Sequence, residues 1–326
     1  MKIVIIIKLC KDGCKEMKNI FSEVYRKKTL IPFKSVTGIL KKINYYSFVT
    51  SSLSQRNWAL YKLRKKYSKF INNMDFEVSY EPISDIIWVC WLQGIENAPN
   101  IVQGCYRNLL KNAENKKVIL ITEKNMFEYV QFPDYIMEKY KKGYISKTHF
   151  SDLLRTELLV NYGGIWVDST VLLTDRIPNI LLERPLFLFS QESFCDSRHF
   201  YYNNWFIVAQ KNNRVLRAVR SLLFEYHKDN DYLIDYFLWH ICMILVAEKY
   251  EDDVNNILGI ADVDSHFLQF NFDKKFDQHY WNYLTDKTVI HKLTYKLDSY
   301  NLENEKNFET YYDYVTTKIL IDTEDS

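Results

Sequence analysis

Glycine and proline are scarce in this chain, 8 and 6 among 326 residues, which excludes a collagen-like or low-complexity architecture. Long apolar runs are missing too. The stretch IVIII at Ile3 to Ile7 is too short to cross a bilayer and carries no small-residue cleavage site. The expectation is a soluble protein, or one peripheral to a membrane. The six cysteines, Cys10, Cys14, Cys90, Cys105, Cys195 and Cys242, include no second metal-spaced pair, which argues against a zinc site and fits a reducing cytosol. Cys90 and Cys242 sit in apolar runs and read as core thiols. There is no G-x-G-x-x-G, no G-x-x-x-x-G-K-[ST] and no G-x-S-x-G. Those absences exclude a dinucleotide fingerprint, a P-loop and a hydrolase nucleophile elbow.

What is present is a large stock of core-forming residues, 47% hydrophobic and 16% aromatic, and an uneven distribution of charge. The net charge is only +2, yet residues 1–73 hold 17 lysines and arginines against 3 acidic residues. A basic head on an acidic body points to a partner for the head, an anionic membrane surface or another protein; a solvated helical extension is equally compatible. The segment NWALYKLRKKYSKFI spaces Trp58, Tyr61, Leu63 or Arg64, Tyr67 or Ser68, and Ile71 near helical periodicity and reads as a basic amphipathic helix. The expected division is a basic helical extension over residues 1–80 and an α/β body over 81–326. The head lacks any recognised nucleic-acid module, and no nucleic-acid partner is expected.

In the body, DIIWVCWLQG and KVILIT are continuous apolar runs, as expected of strands buried on both faces. Pro99 opens a helix through Leu110. FSDLLRTELLVNYGG reads as a helix with Ser151 as N-cap and Gly163 as C-cap. GIWVDSTVLL reads as a third strand, PLFLFSQ and NWFIVAQ as two more, with helices over about 214–227 and 234–249. Strands alternating with helices predict an α/β sandwich. Asp168 falls at a strand's carboxyl end, where ligands collect in open α/β sheets. Asp152 and Arg155, three apart on the preceding helix, share a face. They suit a sugar phosphate, and they equally suit a local ion pair of small worth.

The stretch THFSDLLRTELLVNYGGIWVDSTVLLT carries S-D-x-x-R, then L-L, then Y-G-G followed by hydrophobic, aromatic and hydrophobic residues and D-x-T. It resembles the capsular polysaccharide synthesis family of glycosyltransferases, relatives of the Och1-like mannosyltransferases and of the glucosylating clostridial toxins. IIWVCWLQGIENAPNIVQGC, NWFIVAQKNN, IDYFLWH and VIHKLTYK extend the resemblance over about residues 83–300. It implies a GT-A-like nucleotide-sugar-binding α/β/α sandwich. By position, Ser151, Asp152 and Arg155 would hold the donor sugar and diphosphate region. Trp91, Gln93 and Gly94 would lie near the nucleotide. Asp168 would be the first carboxylate of a D-x-D motif. Thr170 departs from that motif, since a neutral hydroxyl is a poorer ligand than a second aspartate for a hard cation such as Mn²⁺ or Mg²⁺.

Asp235 would position the acceptor, by the same resemblance. His240 is more simply a satisfied helix histidine. His291 and Lys292 would clamp the diphosphate or form a strand-end surface pair. Asn203 and Asn204 would contact sugar hydroxyls or make a turn; Glu192 and Asp196 are weaker candidates. Spacing alone does not exclude a two-carboxylate glycosidase. The reading is a retaining hexosyltransferase of bacterial surface polysaccharide assembly. It would use a UDP-hexose, a lipid-linked oligosaccharide or other glycan acceptor and a divalent cation, in the cytoplasm at the inner face of the membrane. The alternative is a non-catalytic nucleotide-sugar-binding subunit of a polysaccharide-synthesis complex.

Overall fold

The apolar runs form one five-stranded sheet. The computed structural model describes residues 46–190, 202–298, 300 and 308–320. Ile3–Ile7, Cys10, Cys14, Cys195, Glu192 and Asp196 lie outside those residues. Strands β1 (Ile86–Cys90), β2 (Lys117–Ile121), β3 (Gly164–Val167), β5 (Leu186–Ser190) and β6 (Tyr202–Ala209) take the order β2-β1-β3-β6-β5. β2, β1 and β3 run parallel, and β6 is antiparallel to both β3 and β5. Two short strands, β4 (Val171–Leu173) and β7 (Ile290–Lys292), form a separate antiparallel pair.

Alternation along the strands sorts the core. Trp88, Trp166, Leu188 and Ile207 enter one cluster, while Ile87, Ile165, Phe206 and Val208 enter another on the opposite face. Helices α1 (Tyr46–Asn72), α4 (Lys147–Tyr162), α5 (Arg214–Asp229) and α6 (Leu238–Ala247) cover the first face, with α3 (Asp134–Lys141) beside them. α2 (Asn100–Asn112) covers the second. α7 (Val263–Phe270) and α8 (Gln278–Lys287) pack with Leu172 of β4 and with Leu293, just after β7, in a third cluster. This is the expected α/β/α sandwich, with a mostly parallel sheet buried on both sides.

Four local readings change. GIWVDSTVLL is not one strand: Asp168, Ser169 and Thr170 turn between β3 and β4, closed by Val171 N–H donating to Asp168 O at 3.0 Å. Ser151 lies inside α4, whose N-cap is Ser146, accepting from His149 N–H at 3.2 Å. α6 starts at Leu238, four residues late, because Asp235 accepts from Phe237 N–H at 2.9 Å and holds a turn before it. The basic helix α1 is not free of the body. Ala59, Leu60, Leu63, Tyr67 and Ile71 are buried in the main core, while Tyr61 points outward at 56% exposure. Arg64 pairs with Glu248, Lys66 lies 3.0 Å from Asp229, and Lys249 donates to Asn72 O at 2.7 Å. Sequence places this helix in an extension ending near residue 80; the buried stripe makes residues 59–71 part of the body's core.

The paired glycines explain how α4 hands over to β3. Gly163 caps the helix at φ 67°, and Gly164 opens the strand at φ 96°. A Cβ on Gly164 would sit 2.4 Å from Ile86 O, the backbone of the neighbouring strand. Only glycine gives both that dihedral and that approach.

Candidate active site

The parallel strands end together, and the candidate site stands on that edge. Asp168 follows β3 directly. Its backbone N–H donates to Trp205 O at 2.9 Å, which aligns it with the start of β6 and brings Asn204 beside it. Trp166, two residues earlier and so on the same side of the chain, donates its indole N–H to Asp168 Oδ1 at 2.9 Å.

Arg155 holds this edge together. Its Nε donates to Ser151 O at 3.2 Å and its Nη2 to Ser151 Oγ at 2.8 Å, also lying 3.4 Å from Asp152 Oδ1. Its Nη1 donates to Asn204 O and lies 3.3 Å from Asp168 Oδ1. The guanidinium sits 4.8 Å from the Trp166 ring centre and the residue is 5% exposed. Three hydrogen bonds and two carboxylates at ion-pair distance therefore surround the guanidinium. Arg155 is placed to fix two carboxylates relative to each other, with its charge acting on the site through them.

Asp152 is tied on both oxygens. Asn204 Nδ2 donates to Oδ1 at 2.9 Å, and His149 Nδ1 lies 3.3 Å from Oδ2. Burial alone would raise its carboxyl, but Arg155 and the His149 hydrogen bond outweigh that and hold it below the ordinary carboxylate range. His149 Nε2 meets His227 Nε2 at 2.9 Å. His227 is pushed down to about 3, chiefly by burial and then by His149 and Lys139.

A cleft of about 210 Å³ opens over this cluster, lined by Trp91, Gln93, Lys147, Ser151, Arg155, Asp168, Ser169 and Tyr295 among others. Trp91 meets Tyr295 edge to face at 5.5 Å. Gly94 N–H closes the turn onto Trp91 O at 3.0 Å, and Gln93 is exposed on the rim. Lys292 reaches Asp168 from the other side: its Nζ lies 3.3 Å from Oδ2 and donates to Thr170 Oγ1 at 2.5 Å.

Ser151, Asp152, Arg155, Asp168, Thr170, Asn204 and Lys292 therefore come together, with Trp91, Gln93 and Gly94 along the cleft. Three expected residues are placed otherwise. Asn203 points to the opposite side of β6 from Asn204 and donates to Asp262 at 2.6 Å. His291 alternates away from Lys292 along β7, is fully buried and lies 3.4 Å from Thr174 Oγ1; burial pushes it down to about 4. The His291–Lys292 clamp reduces to Lys292. Asp235 is 4% exposed and holds the turn before α6 near Arg56, whose charge it supports against burial. Neither its burial nor its bond suits an acceptor contact. Sequence reasoning passed over Trp166 and His149, although i, i+2 spacing to Asp168 and i, i+3 spacing to Asp152 were there to read. Tyr236 was missed with less signal. It is 61% exposed, and after burial the nearby charges of Asp152 and Asp168 raise its phenol.

The profile of the family described as "Capsular polysaccharide synthesis protein" matches residues 40–315. The chain belongs to that family. Membership makes it a glycosyltransferase of capsular polysaccharide synthesis, as the central motif implied. Among solved structures it is similar to the PaToxG glycosyltransferase, at 14% identity over 61% of this chain and 83% of that one, with a TM-score of 0.38. It is also similar to apo-form GlyE of Streptococcus pneumoniae TIGR4, at 10% identity and a TM-score of 0.39, covering 74% of this chain and 63% of GlyE. No curated protein sequence matches.

GT-A glycosyltransferases commonly use a divalent cation, and this capsular synthesis protein was expected to hold one on Asp168 and Thr170. Its residues fit that poorly. Mg²⁺ and Mn²⁺ need oxygen ligands with free lone pairs and surplus negative charge. Here Asp168 Oδ1 faces Trp166 and Arg155, Oδ2 faces an ammonium, and the Thr170 hydroxyl is taken by the same ammonium. Among the described residues, no group of three or more His, Cys, Asp or Glu is placed to hold a metal.

Proposed function

We propose that this family member transfers a hexose from a nucleotide sugar, with UDP as the favoured carrier, to a lipid-linked oligosaccharide or other glycan acceptor, retaining anomeric configuration. The acceptor hydroxyl oxygen bonds to the anomeric carbon while that carbon's bond to the diphosphate breaks; the electron pair leaves with the diphosphate, and the hydroxyl proton passes to the departing diphosphate oxygen. One observation carries the donor assignment: Asp168, held by Trp166, Arg155 and Lys292, lines an aromatic-walled cleft at the strand-end edge, and the same arginine holds the Asp152 carboxylate beside it. Carboxylates so held accept sugar hydroxyls without reorganising, and nearby fixed cations favour the departing diphosphate.

Residues 1–73 are proposed to meet an anionic membrane surface at the inner face of the cell membrane. Exposed Lys65 and Lys69 on α1 support this reading. The apolar stripe of α1 is already buried, so the attraction would be electrostatic and weakened by salt. Among the described residues no helix is long and apolar enough to cross a membrane.

The test is a panel of nucleotide sugars screened for thermal stabilisation and for release of free nucleoside diphosphate. One donor, saturating at about 100 times its dissociation constant, should add about 2.7 kcal/mol to stability and be slowly hydrolysed without acceptor. A chain that no nucleotide sugar stabilises and that hydrolyses none contradicts the proposal.

A further inference from the structure

The ammonium of Lys292 stands between Asp168 and Thr170, the two positions that would share a metal in a D-x-D motif. We propose that Lys292 takes the place of the divalent cation, so that the diphosphate of the donor is neutralised by a side chain and the enzyme works without metal. This rests on the donor reading given above.

The placement is a property of the fold. β4 begins at Val171, directly after the D-x-T turn, and pairs antiparallel with β7 so that Val171 faces Lys292. Leu293 N–H donates to Thr170 O at 2.9 Å and fixes the register at that point. A slip of one residue would exchange Lys292 for buried His291. The sheet thus delivers one lysine to one side of the turn.

Charge favours the same assignment. A D-x-D motif brings two negative charges to a doubly charged ion. D-x-T brings one, and Lys292 supplies one positive charge, so the local balance is kept. A divalent ion added at Asp168 would instead face Lys292 and Arg155, each 3.3 Å from that carboxylate, a repulsive arrangement at short range. The loss of the second aspartate, which alone reads as loss of function, is matched by the cation beside it. An ammonium carries three N–H groups. One donates to Thr170, Asp168 lies at ion-pair distance, and the side chain is 19% exposed. That leaves charge-assisted donor capacity for a phosphate oxygen.

The experiment measures UDP binding to the full chain by calorimetry, once with chelator and once with Mn²⁺, alongside Mn²⁺ uptake by electron paramagnetic resonance without nucleotide. The expected result is equal UDP affinity in both buffers and no bound Mn²⁺. Lys292→Gln should weaken UDP at least about tenfold in chelator, and Lys292→Arg should recover part of it. The double variant Thr170→Asp, Lys292→Ala should take up Mn²⁺ and make UDP binding depend on it. UDP binding that requires Mn²⁺ in the unaltered protein, or a bound Mn²⁺ lost in Asp168→Asn, overturns the assignment while leaving the donor site standing. Failure of UDP, GDP, ADP and dTDP to bind in either buffer contradicts the donor reading and removes the role of Lys292 with it.

Discussion

The cleft beside Asp168 measures about 210 Å³ and a second one, beside Asn108, about 490 Å³, yet their walls are built differently. The larger is lined by Asn108, Lys111, Asn112, Trp281, Thr285 and Lys318 among others. Its buried polar groups serve the backbone: Asn108 Oδ1 accepts from Leu173 N–H at 2.8 Å, and Asn112 donates to Asn108 O at 2.9 Å. Its lysines are exposed. At the smaller cleft charged groups meet one another: beside Asp168 and Arg155, which line it, stand Asp152 and Lys292, and each of the four lies within 3.4 Å of a neighbour of opposite sign. Volume alone favours the larger cleft; convergent, desolvated charge favours the smaller, which is the one proposed for the donor.

The comparison breaks most sharply at Asp168. Asp168→Asn should lower donor turnover by about 10³-fold or more, and Arg155→Ala by a similar factor, since either change releases the other charge. Arg155→Lys should restore little, because one ammonium cannot span Ser151, Asn204 and both carboxylates. Lys111→Ala and Lys318→Ala in the larger cleft should stay within about twofold of the parent. Initial rates of nucleoside diphosphate release check all five.

A second break acts on stability through the turn that sets the cleft. Gly164→Ala places a Cβ against Ile86 O at a φ of 96° and should cost about 2–4 kcal/mol in urea denaturation. Gly143→Ala has a positive φ but nothing within 4 Å of the added Cβ, and should cost about 1 kcal/mol.

Acid should sharpen the contrast. Burial holds His227 down at about 3 and His240 and His291 at about 4, so all three are neutral when folded. Their unfolded values near 6.5 mean that the unfolded chain binds more protons. Stability is therefore lost as pH falls from about 6.5 toward 4, at up to about 1.4 kcal/mol per pH unit for each histidine. Asp152, held below the ordinary range, adds its loss only at lower pH still. Denaturation midpoints at pH 7, 6 and 5 measure the slope. A smaller effect at the charged cleft belongs to the histidine pair: His149→Gln should lower turnover about tenfold with the fold intact, by loosening Asp152 rather than removing it.

Much of this was legible in the sequence. The buried strands, Gly163 as a helix cap and the Asp152–Arg155 face follow from periodicity and local chemistry, and the D-x-T motif located the edge. What sequence did not give were choices made by tertiary contacts. Nothing local says that a strand stops at Val167 and resumes in another sheet at Val171. Periodicity found an amphipathic α1 but not what its apolar side meets. Alternation separates Asn203 from Asn204 and His291 from Lys292, but only pairing with β3 and β4 decides which member faces the site.

The central claim is that donor binding resides in the smaller, charged cleft. It is tested most directly by the stoichiometry and affinity of a nucleotide sugar, or of its nucleoside diphosphate, on the unaltered protein, Asp168→Asn and Lys111→Ala. The account predicts one ligand per chain, lost in Asp168→Asn and unchanged in Lys111→Ala. Binding that survives Asp168→Asn and is lost in Lys111→Ala would place the donor in the larger cleft and contradict it.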